Sequence, residues 1–169
     1  MANVDGAFLY IGTYPSEDAA LADFDLVKDL KALGAVGSYD IAVVTKDADG
    51  KVREHKEESA TRHAGWGGVA VGALVGILFP PSVIVSAAVG GAVGAVSGHL
   101  WRGLSRSDVK ELGELIDAGE AALLVIGEST IEDALNKADL KAEKKIAKEL
   151  DVRPQDIATA IQESSGDLS

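Results

Sequence analysis

"GVAVGALVGILFPPSVIVSAAVGGAVGAVSG", from Gly68 to Gly98, decides how the rest of the chain is read. It holds no charged residue, although the chain carries a formal net charge of -11. Ala64, Gly68, Gly72 and Gly76 are spaced four apart, and so are Ser86, Gly90, Gly94 and Gly98. Positions four apart stack on one face of a helix, and a small residue at each lets another backbone approach closely. Pro80 and Pro81 cannot continue a helix, so the pattern predicts two helical arms joined at a Pro-Pro tip. Each glycine in a helix costs about 1 kcal/mol relative to Ala in water. Ladders of this kind therefore need a close packing partner, or an apolar solvent that forces backbone groups to pair internally.

Outside the segment the chain reads as a small α+β domain. "GAFLYIGTY" (Gly6 to Tyr14) is an apolar run rich in aromatic and branched residues, ending at Pro15, and it predicts a buried strand. Ser16 is placed to cap a helix whose first turn carries Glu17 and Asp18 and whose Phe24, Val27 and Leu30 share one face. "SYDIAVVTK" (Ser38 to Lys46) predicts a second strand, "DADG" a hairpin turn, and "KVREHKEE" a polar third strand at a sheet edge. After the glycine-rich segment, Ser105 and Asp108 form a capping box for a helix through "DVKELGELID". "AALLVIG" (Ala121 to Gly127) predicts a fourth strand. Ser129 with Glu132 opens a helix carrying Ile131, Leu135 and Ala138. The Lys/Glu run through "KAEKKIAKEL" reads as more helix with a solvated face, and Pro154 starts a last short helix.

With the segment set aside, the order is β-α-β-β-α-β followed by helix. The expected fold class is therefore α+β, a ferredoxin-like split β-α-β domain with an inserted glycine-rich helical hairpin. Its parts are residues 1–60 and 104–152 for the domain, 61–103 for the hairpin, and 153–169 for a short helix and loose tail.

Charge and composition narrow the function. A sequence pI near 4.6 argues against nonspecific nucleic-acid binding. The absence of cysteine excludes disulfides, thiol catalysis and thiolate metal sites. The N-terminal stretch lacks a basic region ahead of a long apolar core, so no secretory signal is read. "TKDADGKVREHK" resembles half a calcium loop, but Lys56 stands where a bidentate carboxylate is needed, which leaves a hairpin turn. His55, His63 and His99 lack metal-ligand spacing, though His63 and His99 could meet at the hairpin mouth. No catalytic constellation, phosphate loop or nucleophile elbow is found, so no enzyme, cofactor or metal is expected.

The flanks point to a membrane. Trp66 and Trp101 stand at the mouths of the two arms, where amphipathic rings prefer an interface, and Arg62 and Arg102 lie just outside. Basic residues beside both ends predict that both stay on the cytoplasmic side. Length opposes a full crossing: about 16 residues per arm span about 24 Å, against a hydrocarbon core of about 30 Å. The alternative is a soluble cytoplasmic assembly with the hairpin buried between subunits.

The glycine ladder, "DADGKV" before it and "DVKELGELIDAGEAALLVI" after it resemble a bacterial and archaeal family, domain of unknown function twelve-sixty-nine. That resemblance implies a membrane protein with stress-induced relatives and brings no catalytic residues. The expected function is a non-enzymatic, self-assembling protein. The helix-packing residues are Gly68, Gly72, Gly76, Ser86, Gly90, Gly94 and Gly98, with Trp66, Trp101, Arg62 and Arg102 at the interface and Pro80 and Pro81 at the tip. Its expected partners are other copies of itself and membrane lipid at the inner face of the cell membrane. A small-molecule sensing module on the sheet face is a second expectation, carried by fold analogy alone.

Overall fold

A computed structural model describes residues 6–32, 39–46, 51–55, 74–75, 77–78, 105–117, 121–128, 130–150, 153, 155–156 and 159. In chain order these form β1 (Phe8–Tyr14), α1 (Glu17–Ala32), β2 (Tyr39–Lys46), β3 (Val52–His55), α2 (Arg106–Asp117), β4 (Ala121–Gly127), α3 (Thr130–Ala138) and β5 (Lys144–Glu149). The architecture is α+β. One five-stranded sheet has the order β3-β2-β4-β1-β5, and every neighbouring pair is antiparallel. β1 and β2 therefore run parallel with β4 between them, and β4 and β5 run parallel with β1 between them.

Polarity explains the order. β1 and β4 are fully buried runs, and they occupy positions with neighbours on both sides. β3 lies at one edge, as its polar sequence predicts, with Arg53 exposed. The expectation that β3 and β4 act as the third and fourth strands of a split β-α-β needs correction. β4 takes the place beside β2, and the outer place beside β1 belongs to β5. A strand at the sheet centre loses water from both faces, and "AALLVIG" tolerates that where "VREH" does not.

β5 is the second correction. "KKIAKE" forms an edge strand, not a helix. Ala, Lys and Glu favour helices intrinsically, but pairing with β1 overrides that preference. The backbone continues the ladder at both ends: the Glu143 N–H donates to the Thr13 carbonyl at 2.8 Å, and the Leu150 N–H to that of Ala7 at 2.7 Å. Beyond it, Gln155, Asp156 and Thr159 are helical, in line with a start at Pro154.

Alternation along the strands sorts side chains to two faces. The first face gathers Phe8, Tyr10 and Tyr14 with Tyr39, Ile41 and Val43 of β2 and Leu123 and Val125 of β4. α1 covers it with Ala20, Phe24 and Val27, and α3 with Ile131 and Leu135. The 20/24/27 spacing is the helical stripe read from the sequence. The second face carries Leu9, Ile11, Ala42, Val44, Leu124 and Ile126, all buried. α2 packs on its β1 and β5 side and buries Leu112.

The caps behave as their sequence predicts. Ser16 Oγ accepts from the Ala19 N–H at 3.2 Å. Ser105 Oγ accepts from the Asp108 N–H, and the Ser105 N–H donates back to Asp108 Oδ2, each at 3.1 Å. Ser129 and the side chain of Leu30 lie outside the described residues.

Asp139, the residue after α3, has φ 54°, the left-handed conformation that often follows a helix. Asp tolerates this region better than most residues, and a β-branched side chain does not. Asp139→Val should lower the unfolding free energy by about 1–2 kcal/mol in urea titration, with Asp139→Gly at or above the parent. Equal stability of the Val and Gly variants would contradict the backbone reading.

Candidate functional site

Every residue that the sequence assigns to helix packing, interface or tip lies outside the described residues. These are Gly68, Gly72, Gly76, Ser86, Gly90, Gly94 and Gly98, with Trp66, Trp101, Arg62, Arg102, Pro80 and Pro81. Four residues of the first arm are described. Leu74, Val75, Ile77 and Leu78 are helical, Leu74 and Val75 are 0% and 2% exposed, and the other two are half-buried. Among the described residues no helix is long and apolar enough to cross a membrane.

The described polar residues build a different feature. β1 places Tyr10 and Tyr14 on the first face with Gly12 between them, and α1 turns Asp23 inward beside Phe24. The Tyr14 hydroxyl donates to Asp23 Oδ2 at 2.6 Å, and the backbone N–H of Lys141 donates to the same oxygen at 2.7 Å. The Tyr10 and Tyr14 hydroxyls lie 3.5 Å apart. A carboxylate buried this deeply persists because its lone pairs are met. Burial, and then the hydrogen bond to Asp23, pushes the Tyr14 phenol far above the ordinary tyrosine range. Tyr14 therefore stays protonated as a donor. It is a clamp between β1, α1 and the turn into β5. Gly12 belongs to the same arrangement. A methyl group there would lie 2.6 Å from the Tyr10 hydroxyl and 2.7 Å from the Ala142 side chain.

Two clefts flank β5. On the first face, a cavity of about 100 Å³ is lined by Phe8, Tyr10, Leu135, Asn136, Asp139, Leu140, Lys145 and Ala147. On the second, a cavity of about 240 Å³ lies between α2 and β5, lined by Asp108, Glu111, Leu112, Ile146, Ala147 and Lys148. The Lys148 ammonium donates to Asp108 Oδ1, joining β5 to the first turn of α2. That ammonium, together with the Ser105 donors, holds the Asp108 carboxyl below the usual carboxylate range. Among the described residues no three acidic or histidine side chains are grouped to hold a metal ion.

Sequence reading missed the Tyr14–Asp23 clamp. Two signals mark it in retrospect: Tyr10 and Tyr14 share one strand face across a glycine, and Asp23 interrupts the apolar stripe Ala20–Phe24–Val27.

Comparison with known proteins adds one finding. Residues 64–160 match a family described as protein of unknown function (DUF1269). The match begins at the first residue of the glycine ladder and runs past β5. No curated protein and no solved structure matches the chain.

Two outcomes follow from the geometry. Tyr14→Phe removes one of two donors from a buried carboxylate and should cost about 1.5–3 kcal/mol in urea unfolding. A loss below about 0.5 kcal/mol would mean that Asp23 finds water instead. Asp108 has a depressed folded-state pKa, so its contribution to stability is present above the unfolded carboxylate value of about 3.9 and is lost as pH falls through the folded one. The stability gap between the parent and Asp108→Asn should be present at pH 7 and close in acid. A gap that widened below pH 4 would reverse the assigned sign.

Proposed function

We propose, from the premise that this chain belongs to the DUF1269 family, that it is a non-enzymatic self-assembling protein whose glycine-rich segment joins copies together and associates with membrane. The observation that carries the reading is the pair of small-residue ladders, Gly68, Gly72 and Gly76 in one arm and Gly90, Gly94 and Gly98 in the other. Such spacing suits close helix packing and little else. The α+β domain around it is read as ferredoxin-like. β1, α1, β2, β4, α3 and β5 supply the split β-α-β order, with β3 added at an edge. Trp66 and Trp101 favour an interfacial position for the mouth of the segment, and the acidic domain suits the watery side.

A second reading has its own support. Leu74 and Val75 are buried within a single chain, which favours packing of the arm against protein over contact with lipid. In this reading the assembly is soluble and the ladders pack helix on helix in water.

Flotation of lysate on a sucrose gradient, with mass measurement in detergent and in plain buffer, separates the two. Membrane association requires floating material that needs detergent. A soluble assembly stays large without it. Replacing Gly72 and Gly94 together by Leu should block close approach of helices and reduce the mass of the assembly, while circular dichroism keeps its α+β signature. An unchanged mass in that double variant defeats both readings.

A further inference from the structure

β5 ends the sheet at its second edge. Among the described residues no strand lies beyond it, and Lys144, Lys145, Ala147 and Glu149 are all exposed. The register with β1 shows which backbone groups are in use. Leu150 donates to the carbonyl of Ala7, the residue opposite it, so the even-numbered residues of β5 share their hydrogen bonds with β1. Lys145, Ala147 and Glu149 therefore turn their N–H and C=O groups outward. An edge of this kind is a template for another strand, and its charges decide which strand it accepts.

We propose that β5 pairs antiparallel with β5 of a second copy, about a two-fold axis at Ala147, so that two five-stranded sheets become one. Charge complementarity carries the inference. Centred on Ala147, the pairing sets Lys145 opposite Glu149 of the second copy, and Glu149 opposite its Lys145. Ala147 meets its own copy, Ile146 meets Lys148, and Lys144 meets Leu150, so no like charges face each other within the strand. Every other centre in the strand fails. Centring on Lys144, Lys145, Lys148 or Glu149 sets that residue against itself, and centring on Ile146 sets Lys144 against Lys148. Opposite charges directly across an antiparallel pair attract and like charges repel. The charges of β5 thus discourage pairing in every register but one.

The complementary groups are placed for it. Lys145 makes no ion pair among the described residues, and Asp139, whose carboxyl feels its charge, is already paired with Lys141. Lys145 and Glu149 of one chain lie about 13 Å apart along the strand, too far to pair with each other. Glu149 accepts the Gly6 N–H at 3.2 Å, which holds its carboxylate at the end of the strand. At the axis, the small Ala147 side chain leaves the two backbones room to approach. Such a contact closes on itself at two copies, so it is independent of the glycine ladders and any contact through them adds to it.

The test uses the full chain, which has no cysteine of its own. Ala147→Cys sets one thiol beside its own copy, at a Cα separation of about 5.5 Å that a disulfide can span. Lys144→Cys, also exposed, is the control, because Lys144 lies opposite Leu150 and far from its own copy. Dilute oxidation with copper-phenanthroline should link the Ala147→Cys chain into dimers and leave the Lys144→Cys chain unlinked. Equal linking of the two, or none in the Ala147→Cys chain, would overturn the proposal. So would mixed dimers in place of Ala147→Cys dimers when that chain is oxidised with an Arg53→Cys chain, since β5 would then be pairing with the β3 edge. Sedimentation velocity gives a second measurement, in chains that also carry Gly72→Leu and Gly94→Leu so that the ladders do not mask the change. Lys145→Glu and Glu149→Lys should each weaken dimerisation about tenfold, because each turns two attractive pairs into repulsive ones. The two exchanges together restore opposite charges and should recover the dimer. Single exchanges without effect, or a double exchange that does not recover, count against the register. Linking of the Ala147→Cys chain does not depend on the ladders, so failure of the glycine-ladder reading and failure of the strand pairing are told apart.

Discussion

Burial of β1 and β4 on both faces is the constraint from which the rest of the structure follows. Leu9 and Ile11 point one way and Phe8, Tyr10 and Tyr14 the other, and all are withdrawn from water. At about 25 cal/mol per Å² of apolar surface, such two-sided strands supply a large share of the hydrophobic stabilisation of a small domain. They do so only if a layer packs on each side. α1 and α3 form one layer, and α2 begins the other. The polar strands β3 and β5 are left to the edges, where charged side chains reach water and discourage further pairing.

The buried Asp23 carboxylate has a different role, positioning rather than driving. β5 has weak strand propensity and three lysines in six residues. What keeps it beside β1 is its ladder, the turn before it and the ion pair behind it. Asp23 accepts the Lys141 N–H, three residues before β5 begins, and the same oxygen accepts from Tyr14 of β1. The left-handed Asp139 turns the chain out of α3 toward that contact. Lys148 then reaches Asp108 on the far face. A sequence that prefers helix is held extended by contacts made far away along the chain.

That dependence separates what was legible in the residues from what was not. β1, β2 and β4 are apolar runs bounded by turns or caps, and α1 and α3 have stripes at helical spacing, so local pattern was enough. The capping box at Ser105 and Asp108 was legible because its partners are three residues apart. β5 was not, because Lys, Ala and Glu carry no local strand signal and its partner lies more than a hundred residues earlier. With β5 read as helix, the strand that forms the sheet's second edge beside β1 was missing from the reading. The Tyr14–Asp23 clamp was missed for the same reason: a single Asp in an apolar helical stripe reads as an interruption until its partners are in view.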